Sequence, residues 1–261
     1  MSIETLFASD KFNLFQTITP YKGTKKGLLI YRIIALLILL YGLYASIYST
    51  INHNPNEDYW IWFAYFTNQN YTAVMIYFTV GIINYFRDAK GKLTGRINNS
   101  ILHTLVHIYY NILFPLAIII TAVFWGLMFP FMDRSHFKIN HWLQEIIQHL
   151  FNSILMSIDW FFLTIPSSFA HFIPMFVAGV AYLIFSQIYH AIYDIWIYGF
   201  LDRDSNSKWY LLYGGLVIAW SAFGFLFSLL QNFKNKNRKF IGEENTSNTN
   251  DNKVVVDIEL V

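Results

Sequence analysis

Six stretches of the chain, each long enough to cross a bilayer and each almost free of charge, constrain its fold more than any other feature. They cover, to within a few residues at each end, 28–49, 59–86, 101–131, 144–168, 172–198 and 209–233. A spanning helix needs about 20 mostly apolar residues, since it rises about 1.5 Å per residue through about 30 Å of hydrocarbon. Backbone N–H and C=O groups find no water there, so each spanning segment must satisfy them internally as a helix. The expected fold is therefore all-α: a polytopic membrane protein with a bundle of six transmembrane helices over 28–233. A cytosolic N-terminal segment, 1–27, precedes it, and a disordered cytosolic tail, 234–261, follows.

Composition agrees. Only 13% of the 261 residues are charged, against about 25% in an average soluble domain. The charges fall in clusters between the apolar runs, and a net charge of +2 without a basic stripe gives no footprint for nucleic acid. Cysteine is absent, which excludes disulfides and thiolate chemistry. Residues 1–26 are polar and mixed rather than shaped like a cleaved leader, so the first apolar run is expected to serve as its own insertion signal.

Lysine and arginine in short loops mark the cytosolic side. Lys11, Lys22, Lys25 and Lys26 precede the first run; Arg87, Lys90, Lys92 and Arg96 follow the second; Lys234, Lys236, Arg238 and Lys239 follow the last. Both termini are thus expected in the cytosol, in the endomembrane system or the plasma membrane. Arg32, just inside the first run, is expected to snorkel back to that surface. Trp60, Trp62, Trp142, Trp196 and Trp209 fall at the opposite helix ends, where amphipathic indole rings favour the interface.

Ionisable and strongly polar residues inside a membrane are costly and tend to face the bundle interior. Three groups stand out: Thr67 to Asn70, then His149, Asn152 and Asp159, then His190 and Asp194. Counted from the tryptophan-marked ends, Thr67, His149 and His190 lie at similar depths of about 12, 10 and 9 Å. Asp194 follows His190 by one helical turn, so its carboxylate is expected to orient that imidazole. A threonine hydroxyl becomes a nucleophile only when a base takes its proton, and a histidine held by a carboxylate is a common base. Thr67, His149 and Asp194, with His190 and Asn152 as neighbours, are therefore the candidate catalytic residues. Polar residues in membrane helices also bond their own backbone or join helices, which is the competing reading. His103 and His107, one turn apart, lack an acidic third ligand and are expected to face headgroups; no metal or cofactor is expected.

The landmarks Tyr65-Phe66-Thr67-Asn68, Phe114-Pro115 with Phe124-Trp125 ten residues on, the segment from Gln148 to Ser153, and the segment from Asp194 to Gly199 carry a resemblance across most of 60–200. In order and spacing they resemble the androgen-induced gene (androgen-dependent TFPI-regulating protein-like) family and the related rolling stone family of membrane proteins. The androgen-induced branch implies a threonine hydrolase of fatty acid esters of hydroxy fatty acids, with Thr67 matching its nucleophile. That branch has a His-x-x-His pattern whose second histidine is the base, whereas this chain has His149 followed by Asn152. Rolling stone-like proteins are similar to this chain in having Asn there, and they are linked to cell fusion without an established chemistry. The resemblance thus implies a multi-pass protein of rolling stone type, non-enzymatic or of unestablished chemistry, acting in adhesion, fusion or signalling. Its alternative is an intramembrane threonine hydrolase of lipid esters. Membrane lipids are the expected partners.

Overall fold

A computed structural model describes residues 1–53, 61–135, 137–205, 207–236 and 238, and all regular structure among them is helical. In chain order the helices are α1 (Ile3–Phe7), α2 (Lys25–His53), α3 (Ile61–Ala64), α4 (Phe66–Ala89), α5 (Ser100–Val123), α6 (Ile139–Ile146), α7 (Asn152–Phe162), α8 (Phe172–Tyr193) and α9 (Trp209–Asn235). A π-helical turn at Phe124–Met128 prolongs α5, and a second at Ile147–Phe151 joins α6 to α7. Trp60 and the tail beyond 238, expected to be disordered, lie outside the described residues.

Four segments are long and apolar enough to cross a membrane: Lys25–Ser49, Ser100–Phe131, Phe169–Tyr193 and Trp209–Asn235. Their outward faces carry large apolar side chains such as Ile34, Leu37 and Tyr44 on α2 and Ile218, Leu226 and Phe233 on α9. A surface of this kind suits hydrocarbon and would aggregate in water. The two remaining runs of the sequence, α4 and the continuous rod 139–162, fall short in hydropathy rather than in length. Each spans 24 residues, or about 36 Å. Their polar side chains explain the shortfall, because Asn68, Asn70, Asn84, Gln148, Asn152 and Asp159 are all buried against other helices.

The deepest of these contacts is ionic. Arg32 on α2, only 1% exposed, donates from Nε and Nη2 to the two carboxylate oxygens of Asp159 on α7, at 2.8 and 2.9 Å. Its Nη1 donates to the Thr17 carbonyl at 2.7 Å, and the Tyr77 hydroxyl of α4 donates to Asp159 at 2.5 Å. Arg32 therefore does not snorkel: a fixed carboxylate inside the bundle satisfies its fork better than the interface would. Gly81 on α4 leaves room for the guanidinium, since a Cβ there would overlap it.

Residues 1–24 are not a loose segment but a plug over one end of the bundle. Phe7, Phe12, Leu14 and Ile18 are buried, and Asn13 and Gln16 close a capping box on the 3₁₀ turn Leu14–Thr17. Leu14 N–H donates to Gly95 O at 2.8 Å, Tyr21 N–H to Phe162 O at 2.7 Å, and the Ser9 and Thr104 hydroxyls meet at 2.7 Å. The loop after α4, the linker between α7 and α8 and the end of α9 gather at this same end. There Lys234 Nζ donates to the Trp160 and Leu163 carbonyls at 2.6 and 2.7 Å, a cation at a helix C-terminus.

His103 and His107 also belong to this end, but they are buried rather than turned to headgroups. His103 Nε2 meets the Ser9 and Phe12 carbonyls at 3.2 Å, and His107 Nε2 meets Pro166 O at 2.8 Å. The plug offers backbone carbonyls that a sequence pattern cannot place.

Close approach at the other seam depends on Gly42 of α2. A Cβ there would overlap the Ile147 side chain and the Tyr71 hydroxyl, which donates to Leu39 O at 2.5 Å. Gly42→Ala is expected to destabilise the protein by about 1–3 kcal/mol, read as a lower unfolding temperature in detergent. Ile147→Ala in the same chain should recover part of that loss.

Candidate functional site

Thr67 sits in the first turn of α4, where backbone N–H groups lack helical partners. Tyrosine hydroxyls supply them: Phe66 N–H donates to Tyr182 at 3.3 Å and Thr67 N–H to Tyr198 at 3.4 Å. Thr67 Oγ1 lies 3.5 Å from the same Tyr198 hydroxyl. Beside it opens an apolar cleft bounded by Phe66, Thr67, Phe124, Tyr182, Tyr198 and Trp220. Its walls come from α4, α5, the first π turn, α8, the stretch after α8, and α9.

His149 lies in the second π turn, and the two π turns meet through their rings. The Phe124 ring lies flat on the His149 imidazole, with centroids 3.5 Å apart and planes within 6°. A π turn loosens the helical ladder and recurs at functional sites. Here the Thr121 hydroxyl donates to the His149 carbonyl at 2.5 Å. His149 Nε2 is 3.1 Å from Glu145 Oε2 one turn earlier, while its Nδ1 is buried without a partner among the described residues. Asn152, one turn later, is 1% exposed, and among the described residues neither atom of its amide has a partner; the same holds for both amide atoms of Asn70 on α4.

The expected pairing of Asp194 with His190 does not form. α8 ends at Tyr193, and Asp194 is its C-cap in the left-handed region at φ +56°, with an exposed side chain. Leaving the helix there removes the one-turn spacing that was to bring the two together. His190 instead stacks on Trp196 at 3.8 Å and lies 4.0 Å from Asp204. In the same loop, hydrogen bonds from Ser205 hold the Asp202 carboxyl below the usual carboxylate range.

Thr67 and His149 thus both border Phe124, one from the cleft and one from the stacked face, while Asp194 stands apart. Two contributors were missed in the sequence. Glu145 precedes His149 by four residues, a helical spacing that was readable there. The contact of Tyr198 with Thr67 bridges 131 residues and leaves no local pattern.

Fold and site together define a helical membrane protein with a polar centre beneath an apolar cleft. The family model described as FAR-17a/AIG1-like protein matches residues 28–233, and the chain belongs to that family, the androgen-induced gene 1 family. No curated protein and no solved structure matches the chain.

Proposed function

We propose that the chain is a six-span membrane protein of the rolling stone branch, with both ends in the cytosol, that holds an acyl chain of a membrane lipid in its outer cleft without hydrolysing it. In this topology α4 and the rod 139–162 are the two further spans. Their length supports it, as does the gathering of both the N-terminal segment and the end of α9 at one end of the bundle.

The observation that carries the non-catalytic reading is the partner of Thr67. Its hydroxyl meets another hydroxyl, that of Tyr198, and the imidazole with an open nitrogen lies behind the Phe124 ring. A protonated tyrosine hydroxyl does not take a proton from threonine at neutral pH. An apolar cleft with a few hydroxyls at one end instead matches the chemistry of ligand sites for chain-like molecules. A bound lipid of this kind fits a role in adhesion, fusion or signalling.

The test is labelling of the purified protein with a phospholipid whose acyl chain carries a diazirine. Adducts are expected on cleft residues such as Leu216 and Val217, and Gly179→Phe, which fills the cleft, should remove most of them. Adducts confined to the outward faces of α2 and α9 would overturn the reading.

One observation favours the alternative of a lipid ester hydrolase. Glu145 and His149 form the carboxylate–imidazole half of a triad, with Nδ1 unengaged among the described residues. If Phe124 swung aside, Thr67 Oγ1 would attack an ester carbonyl and pass its proton to Nδ1. The alcohol would then leave with that proton, and water would cleave the acyl-threonine. Ester hydrolysis by the purified protein that Thr67→Ala and His149→Ala each abolish would establish this alternative, whereas the lipid-holding reading expects none.

A further inference from the structure

The contact between Tyr77 and Asp159, 2.5 Å, sets the register of α4 against α7. Both helices run in the same sense, away from the cleft and toward the end that carries the plug. Seven residues earlier on each lie Asn70 and Asn152. Seven residues make about two turns, so each returns to nearly the same face about 10 Å closer to the cleft. The same seam thus carries an ionic layer at Asp159 and, two turns outward, a layer of amides.

In the ionic layer Arg32, Asp159 and Tyr77 are paired with one another; the amide layer is not. Asn70 is 4% and Asn152 1% exposed, and none of their four amide atoms has a partner among the described residues. Gln148 Nε2 and His149 Nδ1, in the π turn packed against α4, share this condition. Buried polar groups are almost always hydrogen-bonded, so a cluster of orphans on adjoining elements asks for a guest. The guest's chemistry follows from the set. Three amide nitrogens donate, two amide oxygens accept, and the imidazole nitrogen does either according to its tautomer. The guanidinium of Arg32 is committed to Asp159, and the other nitrogen of His149 faces Glu145, so nothing in the layer compensates an anionic head.

We propose that Asn70, Asn152, Gln148 and His149 Nδ1 bind the uncharged, hydrogen-bonding head of a lipid, a hydroxyl or ester group, whose chain occupies the cleft. The site rests on the cleft reading above and adds the class of head it accepts. Access is short: Thr67, one turn before Asn70, lines the cleft, and the Phe124 ring stands between the cleft and the His149 imidazole of the proposed chamber. A shift of that ring joins the two.

The test is competition against the diazirine phospholipid by three ligands with one oleoyl chain: monooleoylglycerol, oleate and lysophosphatidylcholine. Monooleoylglycerol is expected to displace the label at least about tenfold better than the charged pair, a difference of the size that one or two buried hydrogen bonds confer. In Asn70→Leu/Asn152→Leu the cleft should still be labelled while that preference disappears. The unliganded variant should unfold at the same or a higher temperature, since apolar side chains replace orphaned amides. Should the double variant not fold, each single replacement is expected to weaken the preference in part. A preference that survives both replacements overturns the chamber and leaves the cleft standing, as does equal competition by all three ligands, which would mean that the chamber holds water alone. Absence of cleft labelling in the unaltered protein overturns both.

Discussion

Asp159→Ala is expected to destabilise the protein by about 3–5 kcal/mol, the cost of leaving a buried charge without its partner. Arg32 is enclosed on every side, so once the carboxylate is gone its guanidinium keeps only the Thr17 carbonyl. The Tyr77 hydroxyl loses its acceptor in the same step. Replacing the whole group, as in Arg32→Met/Tyr77→Phe/Asp159→Leu, should return most of the loss, because a buried ion pair exchanged for apolar side chains of similar volume is often neutral or stabilising. Thermal unfolding in detergent measures both. A single substitution as mild as the triple one would mean that the pair is not buried as described.

Phe12→Ala should have the second large effect, about 3–5 kcal/mol for emptying a filled aromatic site. The Phe12 ring packs within 4.8 to 6.0 Å, centroid to centroid, of His107, His103 and Tyr110. It is the anchor by which the N-terminal plug grips α5. Besides a lower unfolding temperature, the variant should let diethyl pyrocarbonate modify His103 and His107, which are fully buried when the plug is seated. Phe12→Leu, which keeps most of the volume, should protect both histidines substantially better than alanine does. Unchanged protection in Phe12→Ala would show that the plug does not depend on this ring.

The two effects share a cause that was only half legible in the sequence. Arg32 and Asp159 were each conspicuous as charges within apolar runs, yet the first reads as an interfacial snorkeller and the second as one more polar residue of its helix. Nothing within a run of 20 residues states that they meet, because the pair is separated by 127 positions. The histidines of α5 misled in the same way: their one-turn spacing was visible, whereas the carbonyls of Ser9, Phe12 and Pro166 that receive them came from chain segments without periodicity. At the candidate site, Thr67 and His149 were singled out by type and depth. Their partners were not, since Asp194 leaves the helix in a left-handed turn that no hydropathy pattern announces.

What the sequence determined by itself was the class of solvent and the kind of secondary structure. Long runs of apolar residues transfer favourably from water to hydrocarbon, and hydrocarbon admits a backbone only when it bonds to itself, so helices crossing a membrane follow from local composition alone. Two further runs carry polar residues, and only the bundle shows where those go: they are buried among the other helices. Tertiary structure alone decided who pairs with whom. Helical periodicity chooses a face, but the register between helices chooses the partner, and register is set by packing among segments distant in the chain.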